Sequence, residues 1–161
     1  MFLVYIALQS PQYQISRELL IKAKPEQIFP YINHARKSNE WMPWADLDPK
    51  MIMSYSGPDE GVGSKSFWVS EGSMGTGEAL VVESIANSAV KSELSYIKPM
   101  TMKQTAIVSL HPTGEGTIVR WSVTGENQFI GRLISVVINM DKLVGGEFEK
   151  GLGKLKSLVE I

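Results

Sequence analysis

The last stretch of the chain, from Met140 to Glu160, has the apolar periodicity of a long amphipathic helix. At about 100° per residue its apolar side chains fall on one arc, and lysines and glutamates fall on the opposite side. Such a helix is roughly 30 Å long at ~1.5 Å per residue. Because its apolar arc must be covered, the chain is restricted to folds with a second layer that can receive this helix.

One residue, Gly151, interrupts the apolar arc near its middle. Glycine costs about 1 kcal/mol of helix propensity relative to alanine, and it buries less area than a leucine would. We therefore expect either a bulky group or an empty space to face Gly151. Our interpretation is that the helix lies across a curved sheet and that an internal cavity lies between the two.

Seven segments have the pattern of β-strands. The first, residues 13–23, alternates apolar and polar side chains. From Met51 onward, short runs between regularly spaced turn residues predict an antiparallel meander. We place its strands at about 51–56, 64–70, 76–85, 89–97, 102–111 and 116–124. The last two strands have one polar side, so their apolar side needs a cover, and the C-terminal helix supplies it.

Two short helices are predicted between Pro25 and about Asn39, because Pro25 suits a first helical position and Pro30 limits the helix length. A further helical period covers residues 129–140. A break is expected near Asp141 or at Gly145–Gly146, and the sequence leaves these two positions open. The fold class that follows is α+β, with a curved antiparallel sheet of about seven strands wrapped on the long helix.

Composition excludes several classes of function. A chain of 161 residues is most simply one domain, and its net charge of −1 gives no positive field for nucleic acid. The absence of cysteine removes disulfides and thiolate chemistry and is compatible with a reducing, cytoplasmic location. The two histidines lack metal-ligand spacing, so we expect no metal site and no cofactor.

The N-terminal residues 1–12 form a separate arm that begins with eight apolar residues. They are too few for a membrane span, which needs ~20, and they lack the basic region of a signal peptide. We therefore expect no stable membrane span in this chain. The arm is interpreted as an extra strand or as the remnant of an anchor, and the anchor would make the protein membrane-tethered. Residues 13–161 are assigned to the ligand-binding domain.

The element order is that of a helix-grip fold, and six stretches from about residue 14 to the end strengthen this assignment. They are IKAKPEQIFPYIN, EWMPWADLDP, YSGPDEGVGSKSFW, GTGEALVVES, GTIVRWSVTG and FEKGLGKLKSLVE. Together they resemble the START-like (SRPBCC) superfamily, in particular its polyketide cyclase/dehydratase and lipid-transport branch. The resemblance implies a deep apolar cavity roofed by the long helix, used in that family for lipids, polyketides, hormones and other hydrophobic molecules.

The candidate ligand-binding residues are large apolar side chains and small neighbours on the inferred strands and the last helix. They are Trp44, Trp68, Leu94, Tyr96, Trp121, Val144, Phe148, Gly151 and Leu152. Trp68 and Trp121 are the preferred pair because each lies on an inferred strand and offers a flat apolar surface. For each tryptophan, simple core packing is the competing interpretation.

Glu78 and Glu83 are the candidate catalytic residues, because a carboxylate inside an apolar cavity has a raised pKa and can act as an acid or base. Their inward orientation does not follow from the strand pattern. We therefore predict binding, or transport, of a small hydrophobic ligand such as a lipid or polyketide-like molecule. A polyketide cyclase or dehydratase, or a stress-related protein-interaction module, are the alternatives, so enzymatic activity stays open. A homodimer is compatible with this assignment.

Overall fold

The structure is a computed structural model, and it describes residues 12–126 and 139–160. The predicted N-terminal arm, apart from Gln12, and the predicted helical segment at 129–140, apart from its last two residues, lie outside the described residues. No helix in the described part of the chain is long and apolar enough to cross a membrane.

The elements follow one another as predicted, with one additional short helix. They are β1 (Gln12–Ile21), α1 (Pro25–Asn33), α2 (Ala35–Asn39), α3 (Trp44–Leu47), β2 (Ile52–Ser56), β3 (Lys65–Val69), β4 (Thr76–Ile85), β5 (Ala89–Lys98), β6 (Met102–Thr113), β7 (Gly116–Glu126) and α4 (Met140–Val159). The prediction of an α+β helix-grip fold is thus confirmed. The short helix α3 lies in the tryptophan-rich connector between α2 and β2, residues 41–49, where the sequence pattern predicted no helix.

All seven strands form one antiparallel sheet in the order β1-β7-β6-β5-β4-β3-β2. Strands β2 to β7 are a meander, because each is joined to the next by a connection too short for a crossover. Strand β1 pairs with β7 at the far edge, with Ile15 opposite Val123 and Leu19 opposite Val119. The inner face of this sheet carries the core.

Helix α1 begins at Pro25, whose missing N–H would be unpaired at a helix start in any case. The Lys24 N–H at this end donates instead to the side-chain oxygen of Gln27, at 2.9 Å. Helix α1 ends at Asn33, and α2 begins two residues later. Helix α1 lies over the inner face of the sheet beside α4 and buries Ile28 and Ile32 in the common core.

Helix α4 begins at Met140 and continues without a break through Gly145 and Gly146. The Asn139 side chain caps its first turn by accepting a hydrogen bond from the Lys142 N–H, at 3.0 Å. Its other end is fixed to β1, because Lys156 Nζ donates to the Leu20 carbonyl oxygen at 3.1 Å. The helix therefore lies across the sheet and contributes Phe148, Leu152 and Leu155 to the core.

Candidate functional site

A cavity of about 850 Å³ lies between the inner face of the sheet and the helices that cover it. Its lining comes from β1, from α1 to α3, from β2 to β7 and from the first half of α4. Most of the lining is apolar, and five methionines contribute to it: Met42, Met51, Met53, Met74 and Met102. Methionine side chains are flexible, so these parts of the lining can adjust to ligands of different shape.

The floor of the cavity is made of small side chains from the middle of the sheet. Ala79 of β4 faces Leu94 of β5, and Ser92 of β5 lies between Val81 of β4 and Ala106 of β6. Because alternate residues of a strand point to the same side, these positions all face inward. Their short side chains leave the space that the cavity occupies.

One side of the cavity is bounded by four aromatic rings. Trp121 of β7 and Phe148 of α4 are stacked, with centroids 3.9 Å apart and planes 8° apart. Trp44 meets both rings edge to face at 6.4 Å, and Trp41 meets Trp121 in the same way at 5.2 Å. Edge-to-face and stacked pairs of this kind are favourable arrangements of the ring quadrupoles. The cluster attaches α4 and the connector to the sheet and presents flat apolar surface to the cavity.

A second aromatic pair lies on the other side of the floor. Trp68 and Tyr96 meet edge to face, with centroids 5.6 Å apart. The Trp68 ring lies directly over Gly77, where a Cβ atom would be 2.5 Å from the ring. The indole N–H of Trp68 donates to the Met74 carbonyl oxygen at 3.3 Å. Glycine at position 77 therefore lets this tryptophan lie flat against the sheet.

The phenol of Tyr96 stays protonated near neutral pH. Burial, together with the neighbouring Tyr13, raises the pKa of Tyr96 to about 12. Tyr13 itself accepts a hydrogen bond from the side-chain amide of Gln104, and all three residues line the cavity. This end of the cavity offers neutral hydrogen-bonding groups and no formal charge.

Asp141, at the beginning of α4, is the one charged side chain in the described cavity lining, and it is exposed at the rim. Arg17 of β1 donates to its carboxylate from both terminal guanidinium nitrogens, at 2.8 and 3.2 Å, and Nη2 also donates to its carbonyl oxygen at 3.1 Å. The remaining N–H groups of Arg17 donate to Glu149 at 3.1 Å and to the Ser16 carbonyl at 2.8 Å. All five donors of the guanidinium are therefore used.

The approach of Arg17 to α4 depends on a glycine. A Cβ atom at Gly145 would be 2.2 Å from the guanidinium, so a larger residue there would make Arg17 shift from its position between Asp141 and Glu149. The hydrogen bonds from Arg17 lower the pKa of Asp141, and those to Asp141 raise the pKa of Arg17. This ion pair holds the first turn of α4 against β1.

Arg17→Gln is expected to lower the urea midpoint of unfolding at pH 7 and to lower it less at pH 2.5. Because the pKa of Asp141 is lowered in the folded state, its contribution to stability is present above the ordinary carboxyl pKa of ~3.9. It is lost as the pH falls through the lowered folded value. The exposed pair of Arg120 with Glu18 is the control, since Arg120→Gln removes a contact open to solvent. An equal loss for Arg17→Gln at both pH values would contradict this role for the ion pair.

The sequence model of a family described as polyketide cyclase / dehydrase and lipid transport matches residues 12–160. The chain belongs to this family. The match runs over the whole helix-grip fold, from the first residue of β1 to the end of α4. A comparison with curated proteins finds no match.

Solved structures similar to this polyketide cyclase/dehydrase family member share its fold at low identity. Protein CV1439 from Chromobacterium violaceum is 14% identical, with a TM-score of 0.67 over 92% of this chain and 97% of the other. The Aha1 dimer from Colwellia psychrerythraea is 20% identical, with a TM-score of 0.65 over 92% and 97%. The di-domain ARO/CYC StfQ of steffimycin biosynthesis is 12% identical, with a TM-score of 0.62 over 92% of this chain and 51% of that one.

In this family member, seven of the nine ligand-binding candidates line the cavity: Trp44, Trp68, Leu94, Tyr96, Trp121, Val144 and Phe148. The other two, Gly151 and Leu152, are buried in the contact between α4 and the rest of the core and are not part of the lining. A Cβ atom at Gly151 would be 3.0 Å from Pro43 Cδ and 3.1 Å from Trp121 Cζ3. The sequence predicted that either a bulky group or an empty space faces Gly151, and the structure places the bulky groups Pro43 and Trp121 there.

The structure does not bring Glu78 or Glu83 into the cavity. Glu78 lies on the outer face of β4 and forms an ion pair with Lys65 of β3, with 3.4 Å between Nζ and Oε1. Glu83 is exposed, because the register of β4 shifts between Val81 and Glu83. Without this bulge, Glu83 would share the inner face with Val81. The inward orientation on which an acid–base role depended is therefore absent.

Sequence reasoning missed two buried polar residues of the lining, Asn33 and Ser64. Asn33 is the last residue of α1, a position where the pattern predicted only a helix end. Ser64, which was predicted as the first residue of the strand at 64–70, instead precedes β3 at the end of a glycine-rich turn. Neither position carries a local sequence signal for burial, since both are buried by elements distant in the chain.

Proposed function

We propose that this protein binds or transports a small hydrophobic molecule such as a lipid or polyketide-like compound in the cavity under α4. The observation that carries the proposal is the size and chemistry of that cavity. Its 850 Å³ is within the range of ligand pockets, and its lining is aromatic and aliphatic with a few separate polar groups. Residues 13–161 would then act as one ligand-binding domain.

The arrangement of titratable groups favours binding over acid–base catalysis. The one carboxylate of the described lining, Asp141, is exposed and is kept ionised by Arg17. A general acid or base needs a pKa near the working pH, and the pKa of Tyr96 at about 12 is far above it. Glu78 and Glu83 lie outside the cavity. A cyclase or dehydratase that uses these carboxylates therefore has no support in the geometry.

The first test is native mass spectrometry of protein purified from cells, followed by organic extraction of any bound compound. We expect a species heavier than the 17.9 kDa chain, and release of a hydrophobic molecule on denaturation. The same spectra report whether the chain forms a homodimer, which the sequence leaves open. If the protein is empty, titration with the neutral fluorophore N-phenyl-1-naphthylamine follows, and failure to bind it as well would contradict the proposal.

Ala106→Phe is expected to weaken binding of N-phenyl-1-naphthylamine by at least about tenfold, because the added ring occupies the cavity floor. Ala106 lines the cavity, whereas the next residue of the same strand, Ile107, is exposed on the outer face of the sheet. Ile107→Phe is therefore the matched control and should bind like the wild type. Fluorescence titration and thermal unfolding of both variants are the measurements. A folded Ala106→Phe variant with unchanged affinity would place the ligand elsewhere.

A further inference from the structure

Three polar side chains of the described residues are buried, and two of them line the cavity. The third, Thr117, is away from the cavity, and its hydroxyl donates to the Ala23 carbonyl oxygen at 2.7 Å. The two in the lining are Asn33, which is 9% exposed, and Ser64, which is 1% exposed. They lie where the end of α1 meets the turn before β3. We call these two residues and their neighbour Ser84 the polar corner.

Backbone contacts fix the polar corner. The Gly61 N–H donates to the Asn33 carbonyl oxygen at 3.2 Å, and the Ser64 N–H donates to the Gly61 carbonyl oxygen at 3.1 Å. Ser64 is joined to β4 as well, because its carbonyl oxygen accepts from the Val81 N–H at 2.9 Å. Asn33 and Ser64 are thus held beside each other by the same turn.

The side-chain donors of the polar corner are not all used. Ser84 Oγ donates to Asn33 Oδ1 at 2.6 Å, which orients the amide and leaves its NH₂ group free. Within residues 12–126 and 139–160 the Asn33 amide nitrogen makes no hydrogen bond, although it is not among the fully buried unpaired atoms. Those atoms are Ser64 Oγ and Nδ1 of His34, the residue that follows Asn33. Buried polar groups are normally paired, so unpaired donors beside a cavity indicate a missing acceptor.

The chemistry of that acceptor follows from the charges around the cavity. The described lining holds no cation, and its one anion, Asp141, belongs to the β1 side. Four strand spacings of about 4.8 Å, about 19 Å in all, separate β1 from β4. A carboxylate or phosphate in the polar corner would lose its hydration without gaining a counter-charge. An uncharged ligand oxygen would accept hydrogen bonds from the Asn33 amide and the Ser64 hydroxyl, and its desolvation would cost little free energy.

We propose that the polar corner binds the uncharged oxygen of the ligand, a ketone, ester or amide carbonyl, through Asn33 and Ser64. This inference rests on the proposed function and specifies the ligand class and its orientation. The carbonyl lies at the end of α1, and the apolar body extends over the small side chains of the floor toward Trp121 and Phe148. Charged amphiphiles are disfavoured in this orientation.

The test uses three probes with the same ring system: 2-acetylnaphthalene, 2-ethylnaphthalene and 2-naphthoate. We expect 2-acetylnaphthalene to bind about tenfold more tightly than 2-ethylnaphthalene, which corresponds to a net hydrogen-bond contribution of ordinary size. Because the acetyl compound is the less hydrophobic of the two, burial alone would give the opposite order. We expect 2-naphthoate to bind most weakly.

Ser64→Ala and Asn33→Leu should each reduce the preference for the acetyl compound while leaving 2-ethylnaphthalene binding within about twofold of the wild type. The matched control is Ser38→Ala. Ser38 also lines the cavity, but its hydroxyl already donates to the Tyr31 carbonyl oxygen at 2.9 Å, so the acetyl preference should persist. If Asn33→Leu fails to fold, Ser64→Ala carries the comparison, because it removes only a hydroxyl that has no partner.

The outcomes separate this inference from the proposed function. If all three probes bind equally and the variants change nothing, the cavity binds hydrophobic molecules but the polar corner does not select them. If the acetyl preference survives in both variants and disappears in Tyr96→Phe, the carbonyl lies at Tyr96 and the inference is overturned. If none of the three probes binds although N-phenyl-1-naphthylamine does, this inference alone is overturned. If the purified protein is empty and N-phenyl-1-naphthylamine fails to bind as well, the proposed function fails together with it.

Discussion

Trp41→Ala is expected to lower the free energy of unfolding by about 3–5 kcal/mol, the usual range for removing a fully buried tryptophan. Trp41 is 0% exposed and contacts the Trp121 ring edge to face. Its indole N–H donates to the Tyr31 carbonyl oxygen at 2.9 Å, which joins the connector to α1. The substitution removes the ring, this hydrogen bond and one contact of the aromatic cluster at once.

Two variants serve as references in the same equilibrium denaturation experiment. Leu47→Ala changes an exposed residue of the same connector, 51% exposed, and should cost less than about 0.5 kcal/mol. Trp41→Phe keeps an aromatic ring and should fall between the two. The Tyr31 carbonyl would still accept a hydrogen bond from Ser38 Oγ, so no buried acceptor is left unpaired. A loss below about 1 kcal/mol for Trp41→Ala would show that the connector does not close the core in this way.

The same aromatic residues stabilise the fold and bound the cavity. Trp41 and Trp44 come from the connector, Trp121 from β7 and Phe148 from α4, and all four line the cavity. Core packing and a position in the cavity wall, which were competing interpretations of the tryptophans, are therefore found in the same rings. Ligand binding is expected to depend on stability here, because loosening the cluster also moves one side of the site.

The fold could be predicted from the sequence because its signals are local. Period-two alternation marked the strands, and short turns between them required neighbours in the chain to be neighbours in the sheet. The amphipathic period of α4 located the covering helix from its first residue, Met140. The pairing of β1 with β7 is not local, and the sequence pattern did not predict it.

The parts of the site that could not be predicted depend on contacts between distant residues. The β4 bulge that exposes Glu83 has no marker in the sequence, and one displaced residue reverses the face of every position after it. Asn33 and Ser84, joined at 2.6 Å, are 51 positions apart. Arg17 and Asp141 are 124 positions apart, and each by itself has the pattern of a surface charge.

Gly151→Leu is expected to lower the free energy of unfolding by about 3 kcal/mol, the upper part of the usual range for overpacking. A Cβ atom at this position would already be 3.0 Å from Pro43 Cδ and 3.3 Å from the Trp41 carbonyl oxygen. These neighbours are a proline ring and a main-chain atom, so neither can rotate away. The rest of the leucine side chain would separate α4 from the connector, and this cost exceeds the ~1 kcal/mol of helix propensity that replacing glycine gains.

Gly153→Leu, two residues further along α4, should have the opposite sign. No atom lies within 4 Å of a Cβ built at Gly153, so the substitution gains helix propensity without a collision, and we expect stabilisation by about 0.5–1 kcal/mol. Chemical denaturation of both variants is the measurement. If Gly151→Leu were as stable as the wild type and bound no N-phenyl-1-naphthylamine, its side chain would have entered the cavity. Gly151 would then face the ligand, as the sequence pattern alone predicted, and the close contact of α4 with Pro43 would not be a fixed part of the fold.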